Sequence, residues 1–250
     1  MEWRDEGILL STRPHGEGSA IIDVLTAAHG RHLGVVRGGA SRRMAPLLQP
    51  GAALALSWRA RLEEHIGGVT VEPLQSRAAI LGDPLALSAL GAICALARIA
   101  LPEREPHPRL YRLTAALLDR MAGGDDWLAL YAGWELALLE DLGFGLDLAS
   151  CAVTGQEADL AFISPRTGRA VSRQGAGDWA PRLFPMPQAF RPGAAVDAPA
   201  LHAALEVTGH FLQRELSDRL RGGTLPEARQ RLMSRLARNQ SDKPDAPCRG

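Results

Sequence analysis

The first 75 residues of the chain contain short apolar runs separated by glycine and proline, and this spacing restricts the possible folds more than any other feature. Runs rich in Val, Ile and Leu recur at intervals of about 10 residues, a pattern typical of short strands joined by turns. They are "GILLSTR", "SAIIDVLTA", "RHLGVVRG", "AALALSWRA" and "HIGGVTVEP". In the fourth run, the Pro50-Gly51 start and the alternation of Leu54, Leu56 and Trp58 favour a strand over a helix. Five strands without an intervening helix predict a small β-barrel.

The pattern changes to a helical one at about residue 76. Asp83-Pro84 opens the apolar segment "LALSALGAICALARIAL", and "RLYRLTAALLDRMAGG" is amphipathic and ends at two glycines. Asp125-Asp126 are expected to cap "WLALYAGWELALLEDLGFG". Two further helical regions are predicted at about 198–220 and 226–238. The fold class is therefore α+β, a barrel followed by a helical domain.

Composition divides the chain into five predicted segments. The barrel takes residues 1–76, and the helical domain takes 77–147 and 193–238. A Gly/Pro/Ser-rich insert interrupts it at 148–192, and the polar tail 239–250 is expected to be disordered.

Arginines cluster in one stretch of the barrel, although the whole chain is neutral with 28 basic and 28 acidic residues. Residues 31–61 contain six arginines and no acid. Guanidinium groups pair with phosphate oxygens, and a local field without carboxylates attracts a polyanion. Gly38-Gly39 followed by Ser41 predicts a flexible loop whose backbone N–H groups can approach phosphates. The candidate DNA-binding residues are the six arginines and these three loop residues: Arg31, Arg37, Gly38, Gly39, Ser41, Arg42, Arg43, Arg59 and Arg61. The alternative is a solvated barrel face.

The cysteines, the N-terminus and the uncharged segments argue against a disulfide-stabilised, a secreted and a membrane-spanning protein, respectively. The three cysteines are an odd number at wide spacing, so they do not form a disulfide framework. The N-terminus has acids among its first residues and does not resemble a signal peptide, and the longest uncharged run, 44–58, is broken by Pro46 and Pro50. We therefore expect a soluble, cytoplasmic protein.

No group of residues suggests catalysis or a cofactor. The seven histidines are dispersed, and nucleotide-binding and nucleophile motifs are absent. A zinc ribbon would need two CxxC pairs, but the insert has only Cys151, with Thr154 at the next ligand spacing. We expect a protein that is not an enzyme and that uses neither a metal nor a cofactor.

The segment "ILLSTRPHGEGSAIIDVLTAAHGRHLGVVRGGASRRMAPLLQPG" resembles the start of the RecO family, bacterial recombination mediators. The matching elements are a Pro-His-Gly-Glu turn, Leu-Thr followed by His-Gly, Arg-Gly-Gly-Ala, a basic loop and Leu-Gln-Pro. The segment "WELALLEDLGFGLDLASCAVTG" resembles the helix and turn that lead into the family's zinc-ribbon-like insert.

This resemblance implies an N-terminal OB fold that binds single- and double-stranded DNA and anneals complementary strands. It also implies a helical domain that contacts RecR and the C-terminal tail of single-strand DNA-binding protein, and an indirect partner, RecA, that is loaded onto coated gaps. The chain departs from the family pattern in the insert, where Cys151 is followed by Thr154, Ser172 and Gly175 at the other ligand positions. A degenerate, metal-free zinc-ribbon-like insert is therefore expected.

The function predicted from these features is a non-enzymatic DNA-binding and strand-annealing mediator in DNA repair. The alternative is a protein–protein adaptor whose basic face binds an acidic protein tail. Binding to bare oligonucleotide with a steep salt dependence would favour the mediator over the adaptor.

Overall fold

A computed structural model describes residues 1–62 and 65–241 of the chain. Its N-terminal part is a closed barrel with strand order β1-β2-β3-β5-β4, in which β4 returns to pair with β1. The strands are β1 (Glu2–His15), β2 (Ser19–Thr26), β3 (Gly30–Val36), β4 (Ala53–Arg59) and β5 (Gly67–Gln75). This confirms the predicted five-stranded barrel, and its topology is that of an OB fold.

Strand β1 begins earlier than its apolar run suggested because it pairs with both of its neighbours. Its first half is antiparallel to β4, from Glu2↔Arg59 to Ile8↔Ala53. Its second half is antiparallel to β2 and ends at His15↔Ser19, after a register shift between Leu9 and Ser11. An irregularity of this kind bends a strand, which lets one strand close the barrel.

Strand β2 is buried on both faces, which explains its nearly continuous apolar sequence. Ile22 and Val24 belong to the barrel core with Leu54 and Trp58. Helices α1 (Pro84–Ala100) and α2 (Pro108–Gly123) contact β1 and β2, respectively.

The start of α1 and the end of α2 are as the sequence predicted. The Asp83 side chain accepts hydrogen bonds from the backbone N–H groups of Leu85 and Ala86 at the start of α1. Gly124 ends α2 in the left-handed conformation, with φ of 73°. The barrel, α1 and α2 form one compact unit, residues 1–126 with 226–229.

A second compact unit comprises residues 127–225 and the described residues after 229. Helices α3 (Leu128–Asp141) and α5 (Ala198–Glu215) pack together in it, and the buried Glu135 carboxylate accepts a 2.5 Å hydrogen bond from the Thr208 hydroxyl. The N-cap of α3 is Trp127, with no side-chain capping bond, instead of the expected aspartates. The last helix, α6, spans Glu227–Ser241.

The predicted insert contains a small three-stranded sheet with order β7-β6-β8. Its elements are β6 (Leu160–Ile163), β7 (Ala170–Ser172), the short helix α4 (Arg173–Ala176) and β8 (Phe184–Pro185). The division into five segments and the likeness of the insert to a zinc ribbon remain predictions. Of the tail predicted to be disordered, residues 242–250 lie outside the described part. No described helix has both the length and the apolarity needed to cross a membrane.

Candidate nucleic-acid interface

An open groove of about 980 Å³ lies on the barrel between β3, β4 and β5. Strands β3 and β5 pair in parallel at only two positions, Gly34↔Gly67 and Val35↔Gly68. This short ladder closes the barrel and leaves the groove beside it. We call it the arginine groove; its lining residues are Glu2, Val35, Val36, Arg37, Met44, Ser57, Trp58, Arg59, Ala60, Arg61, Gly68, Val69, Thr70 and Val71.

Two glycines permit the close approach of strands that closes the barrel. A Cβ atom on Gly34 would overlap the Val69 side chain, and one on Gly67 would overlap the Trp58 ring. Gly34 and Gly67 are also paired with each other across the β3–β5 ladder. The position of the groove therefore depends on two residues that carry no functional group.

Three of the predicted arginines converge on the groove: Arg37, Arg59 and Arg61. Arg37 directly follows β3, and Arg59 is the last residue of β4. Leu56 and Trp58 point into the barrel core, so alternation along β4 directs Arg59 outwards. The three guanidinium groups give the groove a positive field for an anion.

One of these arginines is held by an acid that also lines the groove. The Oε2 atom of Glu2 lies 2.6 Å from Nη2 and 3.1 Å from Nε of Arg59. The hydrogen bond and charge of Arg59 lower the pKa of Glu2, and Glu2 in turn raises the pKa of Arg59. Both side chains are exposed enough for a phosphate to exchange with the carboxylate.

Arg42 and Arg43 lie on the connection between β3 and β4, residues 37–52, which we call the arginine loop. The Ser41 hydroxyl and carbonyl both accept hydrogen bonds from the Met44 N–H, at 3.3 and 3.1 Å. Leu48 is buried in the barrel core, and Met44 packs against this core. The part of the loop that follows the two arginines is therefore anchored to the barrel. Both arginines are exposed.

The role of Gly38, Gly39 and Ser41 in this loop differs from the expected one. The sequence predicted backbone N–H groups free to meet phosphates, but the N–H of Gly39 donates to Val36 O and that of Ser41 to Gly38 O. Gly38 has φ of 70°, and a Cβ on Gly39 would lie 2.8 Å from the Ala20 Cβ. The glycines thus let the loop turn sharply and pack against β2.

Arg31 is engaged inside the protein. Its Nη1 donates to the buried Asp23 carboxylate at 2.8 Å, its Nε to Leu101 O at 3.1 Å, and its Nη2 lies 3.4 Å from Glu103. Its side chain is 13% exposed. These contacts connect β3 to β2 and to the end of α1, so the Arg31 guanidinium is not part of the exposed basic groups of the segment.

The acid-free segment is therefore partly neutralised by acids from elsewhere in the chain. Asp23 and Glu103 pair with Arg31, and Glu2 pairs with Arg59. Among residues 1–62 and 65–241, no acid forms an ion pair with the other four arginines, which are Arg37, Arg42, Arg43 and Arg61. These four are the exposed arginines of the segment 31–61 that keep their charge unpaired within the described residues.

The barrel's two tryptophans are unsuited to stacking on bases. Trp58 is 2% exposed and donates its Nε1–H to Leu33 O at 3.3 Å. Trp3 stacks on Trp58 at 5.5 Å and on His29 at 4.1 Å. The groove thus offers charge and hydrogen bonds more than aromatic faces.

Sequence reasoning missed three polar residues of the groove: Glu2, Ser57 and Thr70. Ser57 and Thr70 are paired across β4 and β5, and alternation with buried Leu56, Trp58 and Val69 could have placed them on the outer face. Glu2 had no such signal because it is 57 positions from Arg59.

The four positions of the expected degenerate zinc site come together in the insert. The Cys151 Sγ accepts hydrogen bonds from the N–H groups of Val153, Thr154 and Ser172 and from the Ser172 hydroxyl, at 3.2–3.4 Å. A Cβ on Gly175 would lie 2.9 Å from this sulfur. Burial raises the pKa of the Cys151 thiol, but the bonds from Ser172 and Thr154 outweigh it and bring the pKa to about 6.

This donor set does not fit a structural zinc ion. One thiolate, two hydroxyls and a glycine cannot supply the four sulfur or imidazole ligands that such sites use. The described residues also contain no group of three or more His, Cys, Asp or Glu side chains placed to hold a metal.

Comparison with known proteins gives a consistent result along nearly the whole chain. The family model "Recombination protein O N terminal" matches residues 1–77, and "Recombination protein O C terminal" matches residues 81–223. A protein of Cereibacter sphaeroides named DNA repair protein RecO is 61% identical over 95% of this chain and 99% of its own length. Proteins of the same name from Dinoroseobacter shibae and Roseobacter denitrificans are 57% and 55% identical, over 95% of this chain and 99% of theirs. The chain therefore belongs to the RecO family of DNA repair proteins.

Proposed function

We propose that this protein binds single- and double-stranded DNA through the arginine groove and the arginine loop, and that it anneals complementary strands. The observation that carries the proposal is the set of four exposed arginines, Arg37, Arg42, Arg43 and Arg61, without an ion-pair partner in the described part of the chain. Guanidinium groups bind phosphate in a bidentate manner. A fifth arginine, Arg59, becomes available when a phosphate replaces Glu2.

Binding by this surface depends on charge and not on base sequence. Phosphate contacts release counterions, so affinity falls as salt rises, and they carry no sequence information. Two strands whose phosphates are neutralised on one surface repel each other less, while their bases stay free to pair. Annealing follows from this arrangement without a chemical step, so the protein acts without catalysis.

The proposed role is that of a recombination mediator that helps to load RecA onto gaps coated with single-strand DNA-binding protein. The partners are RecR and the C-terminal tail of single-strand DNA-binding protein, and the place of action is the cytoplasm, at the nucleoid. Family membership along the chain supports this role. The barrel contributes the contact with DNA, and the partners are assigned to the helical domain.

A strand-annealing assay tests the proposal. Two complementary oligonucleotides, one labelled with a fluorophore and one with a quencher, are mixed with wild-type protein or with Arg42→Ala/Arg43→Ala. The matched control is Arg112→Ala/Arg235→Ala, which removes the same charge from two exposed helical positions. We expect the wild type and the control to accelerate annealing and the loop variant to be several-fold slower.

Two results would contradict the proposal. Equal annealing by the loop variant and the control would place the DNA surface elsewhere. No binding of bare DNA, together with binding of an acidic peptide, would identify the basic surface as a protein-docking face.

A further inference from the structure

The insert carries an exposed aromatic side chain paired with an arginine. Trp179 and Arg182 lie on a 3₁₀ turn, Gly177–Arg182. Trp179 is 63% exposed, whereas the tryptophans at positions 58, 127 and 134 are buried. The Cζ atom of Arg182 lies over the indole ring, 4.9 Å from its centroid.

The turn holds this pair on the surface because its other side is anchored. Ala180 and Leu183 pack against the small core of the insert, formed by Cys151, Val171 and Ala176. A 3₁₀ turn has three residues per turn, so residues at i and i+3 lie above one another. Ala180 and Leu183 therefore share the inner face, and Trp179 and Arg182 share the outer face.

The chemistry of this outer face matches an unpaired nucleotide. An indole ring offers a face on which any base can stack, and a guanidinium group binds phosphate and also stacks on flat rings. One acid, the exposed Asp178, is adjacent in the turn, and Asp159 elsewhere in the insert is paired with Arg173 at 3.7 Å. This aromatic contact is what the barrel lacks, since Trp58 is buried.

We propose that Trp179 and Arg182 form a second nucleic-acid contact, which takes one unpaired nucleotide by stacking its base on the indole and pairing its phosphate with Arg182. The proposal rests on the proposed DNA binding and adds a preference for strands with exposed bases. Duplex DNA keeps its bases stacked, so this contact favours single strands over duplex.

Fluorescence anisotropy with two labelled probes of equal length and charge tests this contact. One probe is an oligothymidylate, and the other is the same backbone without bases. The variants are Trp179→Ala, Trp179→Phe and the matched control Val153→Ala, which removes apolar surface from a 68% exposed residue of the same insert.

We expect the wild type to bind the base-bearing probe more tightly than the abasic probe. Trp179→Ala should lose this preference, with roughly 5-fold or greater weakening on the base-bearing probe and little change on the abasic one. Trp179→Phe should keep part of the preference, and Val153→Ala should keep all of it. If the wild type binds both probes and Trp179→Ala leaves their affinity ratio unchanged, the second contact is wrong while DNA binding by the barrel stands. If the wild type binds neither probe, the proposed function itself fails.

Discussion

Glu2 and Arg59 are joined across β1 and β4 by a 2.6 Å ion pair inside the groove where we expect phosphate to bind. The two residues are directly paired in the sheet, so the contact follows from the register of the strands. A phosphate that reaches Arg59 must displace the Glu2 carboxylate. Glu2 therefore competes with DNA for one of the five groove and loop arginines.

Glu2→Gln should bind single-stranded DNA more tightly than the wild type, by a few-fold at low salt. The neutral amide removes the competing charge and leaves Arg59 available, so the salt slope should also become steeper by up to about 0.7. Anisotropy titrations across a salt series measure both quantities. A matched control is Glu72→Gln, which neutralises an exposed acid on β5 that does not line the groove. Weaker or unchanged binding by Glu2→Gln would exclude Arg59 from the interface.

Arg31→Ala should destabilise the protein and leave its DNA affinity unchanged. Removal of Arg31 takes one of the two arginines away from Asp23, a residue that is 3% exposed, and breaking a buried pair costs about 3 kcal/mol. Urea unfolding followed by circular dichroism measures the loss. The double variant Arg31→Ala/Asp23→Asn should regain part of it, because the buried carboxylate charge, which only Arg98 still compensates in the single variant, is gone. A stable Arg31→Ala protein that has lost DNA affinity would return Arg31 to the binding surface.

Gly39→Ala should weaken DNA binding without unfolding the protein. The added methyl would meet the Ala20 Cβ at 2.8 Å and the Val36 carbonyl at 3.0 Å, so the arginine loop must shift from β2. We expect a several-fold loss of affinity and a small drop in melting temperature. Gly82→Ala is the control, since a Cβ there meets nothing within 4 Å. Wild-type affinity in Gly39→Ala would show that the loop position does not matter for binding.

The stability of the protein should depend on pH through Cys151. The folded pKa of about 6 lies below the usual thiol value of about 8.5, so between these limits the unfolded state binds more protons. The free energy of unfolding should therefore rise with pH from about 6 to about 8.5, and this contribution is lost on acidification below the folded pKa. Urea midpoints of wild type and Cys151→Ser, measured at pH 5.5 and 8.5, isolate the effect. An identical pH dependence in the two proteins would mean that the sulfur is not a thiolate in the folded state.

The barrel was predictable from the sequence because strand-forming runs, turns and alternation are local signals. The pairing of "AALALSWRA" with β1 and β5, for example, keeps Leu54, Leu56 and Trp58 inside, as the alternation indicated. The early start of β1 was not predictable in this way, since residues 2–6 include only one apolar side chain, Trp3, and are held by pairing with β4.

The candidate site was predictable only in part, because charge pairing is not local. The six arginines looked equivalent in an acid-free segment, yet Arg31 is paired with Glu103, 72 positions away, and Arg59 with Glu2. The expected role of the glycines also differed, because packing of Gly39 on Ala20 depends on the neighbouring strand. Charge density along the chain thus identified an arginine-rich segment but could not show which of its arginines are paired with distant acids.

The most direct test of the central claim is the salt dependence of single-stranded DNA binding by wild type and by a variant with Ala at Arg37, Arg42, Arg43 and Arg61. Each phosphate contact on a single strand contributes about 0.7 to the slope of log K against log salt, so four contacts contribute about 2.8. We predict that the variant, still folded by circular dichroism, has a slope shallower by about that amount and a much lower affinity at low salt. A folded variant with the wild-type slope and affinity would contradict the claim that these arginines bind DNA.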